Sequence, residues 1–597
     1  MQAALPKPVF EFLTPGLDFY TEKVLGGTDS VTSPPLPEQE LIALLEEGNG
    51  NGSLSYEPDS PHGSNGWVVE PNRTRDGRAI LANDMHLDLG VPNIWYRAEL
   101  HYGDVHLAGI TLPGVPLVIS GSNGHIAWGF TGSGIDVLDL VAVETNQQDP
   151  SQYRTAQGWR PFDVREEVIR VKGAADKTLT IRGTVWGPVL SMPLFNEPFA
   201  VRWIALDAEA TDLKLMNLDR VTTVQDALDL FNQAGGPVLN ALVADAQGDI
   251  GWTLTGRIPV RFGLDGSVSE SWADGTRGWR GYMEPREVPR QLNPPEGFIV
   301  NANQKMVGVD YPIVPANYAA PGYRAFRIQE RLLEMRGIRE KNMLALQLDT
   351  WAEAYRHYQG LAIKALNKDA ETAEIAELKR YIEAWDGRAE PESLGLALLV
   401  EFRRALLEEV LFPFLSRCRE LDPQFEYRWI YPDVPLQRLL DARIPELLPD
   451  RQYGDSDSLV REILVREARR LMNVYQVDRL DVLSWGLTDR ERIAHPLSGA
   501  IPFLSYLLDM PKQPLPGCPY CVRAARGGGA TERLVVSPGH EKDGLFHMPG
   551  GQSGHPLSPY YGDQHGAWVQ GLATSFLAGK AIHKVVLMPS SITSSQP

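Results

Sequence analysis

The stretch Pro61-His62-Gly63-Ser64-Asn65-Gly66-Trp67 divides the chain into two unlike parts. Before it lies a polar tract, GNGNGSLSYEPDSPHG, which lacks the apolar residues needed to pack and reads as a flexible linker. After it, Trp67 to Val69 and Ala79 to Ala82 read as strands joined by the polar turn NRTRDGR. Taken alone, Gly63-Ser64 is a loop entering a strand. It also has the ingredients of a self-cleaving junction. A small residue allows strained backbone, and a serine hydroxyl beside the preceding carbonyl would attack it and leave Ser64 as a new N-terminus. An α-amine, with a reference pKa of about 7.7–8.0, then serves as the base for that hydroxyl.

Outward from this point, residues 1–63 hold a short apolar opening, Ser/Thr/Pro punctuation at Thr32–Pro37 and one helix-like run at Glu38–Glu47. Strand-like runs recur to residue 145 and again at Leu239–Gly256. Apolar residues at i, i+3, i+4 spacing predict helices at Arg324–Met335, Leu394–Leu411 and Ser458–Met472. Gly517–Pro559 returns to loops. Strands first, helices inserted late, then strands and loops is the order of a layered α+β body.

The net charge of -19, with 43% hydrophobic and 22% charged residues, suits a globular protein with a large core. It argues against a nucleic-acid partner and against adsorption to anionic membranes. The best candidate for a membrane span, Val105–Ser120, is broken by Gly109, Pro113, Gly114 and Pro116 and is too short to cross a bilayer. Met1 is followed by Gln2 and a polar, Pro-containing stretch without the features of a secretory leader. This leads us to expect either an intracellular protein or a chain whose natural start is absent. Cys518 and Cys521 form a C-x-x-C without a second ligand pair for zinc. A local disulfide and two plain thiols both remain open, and Cys418 stands alone.

Six ordered segments share a resemblance. Ser64-Asn65-Gly66-Trp67 is similar to the start of the catalytic β-chain in the penicillin acylase family. Asn83-Asp84-Met85-His86-Leu87 resembles the N-D-P-H-L of its histidine-bearing branch, which includes cephalosporin and acyl-homoserine-lactone acylases. Asn123-Gly124-His125-Ile126-Ala127-Trp128-Gly129, Asn301-Ala302-Asn303, Tyr323–Ile328 and GGQSGHPLSPYYGDQ (Gly550–Gln564) follow in the family's order.

The resemblance implies an N-terminal-nucleophile αββα sandwich with a helical insertion around residues 320–480. Residues 1–63 would be the end of an α-chain plus a spacer, and residues 64–597 the catalytic β-chain of an α/β heterodimer. It implies self-cleavage between Gly63 and Ser64, with Ser64 as nucleophile and His86 beside it. The Gly132 N–H and the Asn303 side-chain amide would be oxyanion donors, with Asn301 the alternative to Asn303. Arg324 would hold the asparagine and the serine amine, with Arg327 the alternative, and Leu87 would line the acyl pocket. A structural calcium is expected on Asp136, the carbonyl of Leu138 and Asp139, with Asn317 near a further ligand position. No organic cofactor is expected. The implied substrates are N-acyl amides, β-lactam side chains or acyl-homoserine lactones, in the periplasm or outside the cell. GCPYCVRAARGGGATERLVV departs from the family's usual loop and leaves His86 without an assigned acidic partner. The stretch before Ser64 is short for a family α-chain, so the competing expectation is an unprocessed, truncated remnant that at most binds. A Ser-His-Asp hydrolase would need G-x-S-x-G and a zinc peptidase H-E-x-x-H; neither motif is present.

Overall fold

The computed structural model describes residues 1–26, 34–47, 63–194, 197–307, 320–368, 372–488 and 492–588. Two antiparallel sheets lie face to face. The first is built on β1 (Gly63–Val69) and β2 (Ile80–Leu87), flanked by the strands Phe298–Asn301 on one side and Arg533–Val536 then Leu545–His547 on the other. The second runs in the order Arg290–Leu292, Ile250–Leu254, Leu239–Asp245, β6 (Ile126–Gly132), β5 (Ser120–Ser122), β4 (Val105–Thr111) and β3 (Tyr96–Tyr102).

Because side chains alternate along a strand, each sheet presents one face to the other sheet and one to helices. Val68, Leu81 and Met85 meet Ala127, Leu242 and Trp252 in the buried layer between the sheets. The opposite face of the first sheet (Trp67, Val69, Ile80 and Ala82) packs on α5 (Tyr323–Glu334) and α6 (Glu340–Gln347). That of the second, Trp128, Phe130 and Val243, packs on α4 (Val224–Gln233), whose start Thr223 caps by accepting from the Asp226 N–H. The layers are therefore helix, sheet, sheet, helix, as the resemblance implies. Asn83 pins the two sheets together: its Nδ2 donates to the carbonyls of Asn65 (2.9 Å) and Phe130 (3.0 Å).

A separate helical core is formed by α7 (Arg356–Leu366), α8 (Ala373–Glu383), α9 (Leu394–Leu421), α10 (Asp433–Ala442) and α11 (Ser456–Val474). Onto it pack α1 (Lys7–Leu13) and α3 (Glu38–Glu47) through Val9, Phe12, Leu41 and Leu44. The short helix α2 (Phe19–Val24) is capped by Asp18, which accepts from the N–H groups of Tyr20 and Thr21. The same buried carboxylate accepts from the Gly322 N–H at 3.0 Å and so ties the N-terminal segment to the head of α5. A Cβ on Gly322 would fall 2.2 Å from the Thr21 nitrogen, so that approach demands glycine. Cys518 and Cys521 are joined as a disulfide, and Cys418 is a buried free thiol.

His547, in the edge strand of the first sheet, is buried with neither ring nitrogen hydrogen-bonded among the described residues. Burial, followed by the nearby charges of Arg533 and Arg523, lowers its pKa to about 3. In the unfolded chain an imidazole titrates near 6.5. Below that pH the unfolded state binds the extra proton, so stability falls with pH by about 1.4 kcal/mol per unit for such a residue. Urea titrations at pH 7 and pH 5 are predicted to show a lower midpoint at pH 5, and a smaller drop in His547→Phe. Equal drops in the two proteins would remove His547 from the acid response.

Candidate active site

Ser64 and Asn65 are neighbours on β1, so their side chains leave opposite faces of the sheet. Ser64 pairs with Met85 and points between the sheets, and Asn65 pairs with Asp84 and points toward α5. Ser64 is 6% exposed. Its hydroxyl donates to the carbonyl of Gly63 at 2.5 Å, the bond that would be cut. Its backbone N–H donates to Asn303 Oδ1 at 2.6 Å.

Asn303 follows the strand Phe298–Asn301 and takes a left-handed φ of 70°, a conformation asparagine tolerates better than most residues. That turn aims its amide at Ser64. Asn303 Nδ2 donates to the Gly132 carbonyl at 2.9 Å, and its Oδ1 also accepts from Arg324 Nη2 at 2.9 Å. Asn301 stays inside, where its Oδ1 accepts from the Thr131 hydroxyl and from the Asn303 N–H (2.9 Å). Arg324, on the buried face of α5, reaches the Ser64 carbonyl (2.8 Å) and Asn65 Oδ1 (2.7 Å) with Nη1. Burial lowers its pKa to about 10, which leaves it cationic at neutral pH. Arg327 instead pairs with Asp349 and Glu330. The structure thus brings Ser64, Asn303, Arg324 and Gly132 together and leaves Asn301 and Arg327 out. Gly132 meets the Asn303 amide through its carbonyl. Leu87 lies on the Ser64 side of β2, partly buried against the inter-sheet cluster.

His86 is placed differently from the expectation. It pairs with Gly63 in the register, one residue out of step with Ser64, so its ring lies on the α5 side of the sheet with Asn65 and Asp84. Its Nε2 lies 2.5 Å from Asp84 Oδ2, and Asn65 Nδ2 donates to the same oxygen at 3.0 Å. Burial holds its pKa below the usual range, with Asp84 opposing; since an ionised carboxylate only accepts, Nε2 is the nitrogen that donates to Asp84. Among the described residues its side-chain contacts lead toward Ser64 through Asp84, Asn65 and then Arg324. Neither Asp84 nor Asn65 is among the implied site residues, although the period-2 spacing of Asp84 and His86 on a strand already puts them on one face. The loop that departs from the family pattern supplies a further support: the Val522 carbonyl, next to the disulfide, accepts from Asn65 Nδ2 at 2.9 Å.

The residues expected to hold calcium do not fit it. Arg261 sits among them, its Nη2 2.9 Å from Asp136 Oδ2 and its Nε 2.8 Å from Asp139 Oδ2. Two of its nitrogens also face the Asp136 carbonyl at 3.3 Å. A guanidinium already supplies the positive charge these carboxylates need, and calcium would require six to eight oxygens around a point the guanidinium crowds. Leu138 contributes its N–H to Asp136 Oδ1 (3.1 Å), and Asn317 lies outside the described residues.

Residues 11–581 match the family model described as penicillin amidase. The chain belongs to the penicillin amidase family. Among its relatives, penicillin acylase 2 proenzyme of a Pseudomonas species is 29% identical over 91% of this chain and 71% of its own length. Acyl-homoserine lactone acylase QuiP of Pseudomonas aeruginosa is 26% identical over 86% of this chain. The chain spans 66% of that relative and 46% of its Pseudomonas fluorescens counterpart. Thermostable penicillin G acylase from Alcaligenes faecalis superimposes with a TM-score of 0.69 over 88% of this chain and 100% of that one, at 20% identity. At that identity the superposition speaks for the fold.

For this member of the family, calcium added to metal-stripped protein is predicted to leave the melting temperature unchanged. Arg261→Ala is predicted to cost about 3–5 kcal/mol, because it strands two buried carboxylates. A calcium-dependent rise in melting temperature of the wild type would contradict the assignment.

Proposed function

We propose that this chain is a self-processing N-terminal serine amidohydrolase that hydrolyses N-acyl compounds through an acyl-Ser64 intermediate. The observation that carries the reading is the Ser64 nitrogen, held at 2.6 Å by an asparagine that a buried arginine also grips. In the uncut chain this nitrogen is an amide. Attack of the Ser64 hydroxyl on the Gly63 carbonyl would break the Gly63–Ser64 bond and form an ester. Water would then release Gly63 as a carboxylate and leave the nitrogen as a free amine at the same place.

That amine takes the hydroxyl proton while Oγ attacks the substrate carbonyl. The tetrahedral oxyanion needs fixed donors, worth several kcal/mol in a site closed to water. Asn303 Nδ2 and the Gly132 N–H are the donors we assign. The proton then passes to the leaving amine, the amide C–N bond breaks, and water hydrolyses the acyl-serine by the reverse use of the same amine. The cation of Arg324 disfavours the ammonium form of the amine and so favours its action as a base. Asp84, Asn65 and His86 are positioning residues for Arg324. Leu87 on the serine side gives an apolar wall, which suits the acyl part of β-lactam side-chain amides or acyl-homoserine lactones.

The two fragments would remain joined as an α/β heterodimer, since Val9, Phe12, Leu41 and Leu44 share one core with the helices after residue 323. No described helix is long and apolar enough to cross a membrane. We place the protein in the periplasm or outside the cell, in keeping with its disulfide.

Two variants test the reading against a panel of N-acyl amides. Ser64→Ala is predicted to abolish hydrolysis of every member while the fold is retained; residual turnover at the wild-type rate would exclude Ser64 as nucleophile. In Gly63→Ala the new Cβ would lie 2.4 Å from Asn303 Oδ1 and 2.9 Å from Arg324 Nη2. That variant is predicted to mature slowly, with amidase activity appearing late by about tenfold or more, since a misplacement of about 1 Å costs roughly 100-fold in comparable sites. Maturation at the wild-type rate would show that the close fit at Gly63 is irrelevant to the cut.

A further inference from the structure

Away from the serine site, the outer hairpin of the second sheet gathers three side chains that the amidase chemistry does not use. In β3 and β4 His101 pairs directly with His106, across a turn of Gly103 and Asp104 that fixes the register. The cross-strand imidazoles stack with ring centroids 4.2 Å apart and planes 18° apart. Glu99 is on the same face of β3, two residues before His101, and its Oε1 lies 3.1 Å from His101 Nε2 and 2.9 Å from His106 Nε2. One ligand atom from each of the three residues lies within 4.8 Å of the others.

We propose that Glu99, His101 and His106 form a binding site for a divalent transition-metal ion of the zinc type. Tetrahedral coordination at about 2.0–2.2 Å puts neighbouring ligand atoms roughly 3.3 Å apart. The two measured separations are within a few tenths of an ångström of that. The ion would enter between groups already in position, with a fourth place left for water. The ligand chemistry is right as well: two imidazoles and one carboxylate suit zinc, nickel or copper, whereas calcium and magnesium prefer all-oxygen sets. The carboxylate is also pre-oriented. Glu99 Oε2 accepts from the Ala578 N–H at 3.1 Å, which leaves Oε1 directed at the histidines, the kind of support that metal ligands characteristically have.

The site is independent of Ser64, so its test does not depend on the amidase reading. The full-length, untagged protein, stripped with chelator, is titrated with zinc chloride by calorimetry near neutral pH. One ion per chain is expected. His101→Ala and His106→Ala are each expected to weaken binding by about tenfold or more, as loss of a ligand should exceed loss of a supporting residue. The histidine side chains are 63% and 45% exposed, so these variants should melt with the stripped wild type, which separates loss of a ligand from loss of fold. Cobalt(II) should give the visible absorption of a four-coordinate site in the wild type and lose it in both variants. No zinc binding by the wild type, or unchanged affinity in either histidine variant, would overturn the proposal.

Discussion

Everything about the candidate site depends on one shared oxygen. Asn303 Oδ1 accepts from the Ser64 N–H and from Arg324 at once, and it ties the start of β1 to two segments more than 200 residues later in the chain. A buried guanidinium is tolerated only when its donors are met, and here the Ser64 carbonyl, Asn65 and Asn303 meet them. The left-handed turn at Asn303, the pairing of β1 with Phe298–Asn301 and the buried face of α5 all serve that convergence. The constraint runs both ways, because Gly63 can carry no side chain without striking the same asparagine and arginine.

Part of each sheet was legible in the sequence because alternation and turn chemistry are local, whereas Arg533–Val536 and Leu545–His547 of the first sheet lie in the stretch Gly517–Pro559 that reads as loops. Trp67 to Val69 fall within β1, Ala79 to Ala82 overlap the start of β2, and the late helices appear near their predicted places. The choice of Asn303 over Asn301, and of Arg324 over Arg327, also agrees with the geometry around Ser64. The orientation of His86 was not legible. It depends on a register between β1 and β2 that is fixed by packing on both faces of the sheet, and a slip of one residue sends a side chain to the other side. Arg261 was hidden for a related reason: it is remote in sequence from Asp136 and Asp139, and only the folded chain brings it to them.

The segment before Ser64 shares its core with the helical body, and Asp18 reaches to within three residues of the point where Arg324 leaves the helix. Docking of that segment and shaping of the site are therefore coupled through the head of α5. The network of Asp84, Asn65 and His86 buttresses the same arginine from the other side, with the Val522 carbonyl behind Asn65. A site assembled this way resists small displacements, which suits the proposal that Ser64 is a nucleophile whose own backbone nitrogen becomes the base.

The central claim is that residue 64 becomes a chain terminus without help from a protease. Intact-mass measurement with N-terminal sequencing of the purified protein, beside Ser64→Ala made in the same host, tests it most directly. We expect a fragment beginning Ser-Asn-Gly-Trp in the wild type and an uncut chain in the variant. An uncut wild-type chain, or a cut at the same bond in Ser64→Ala, would contradict the account.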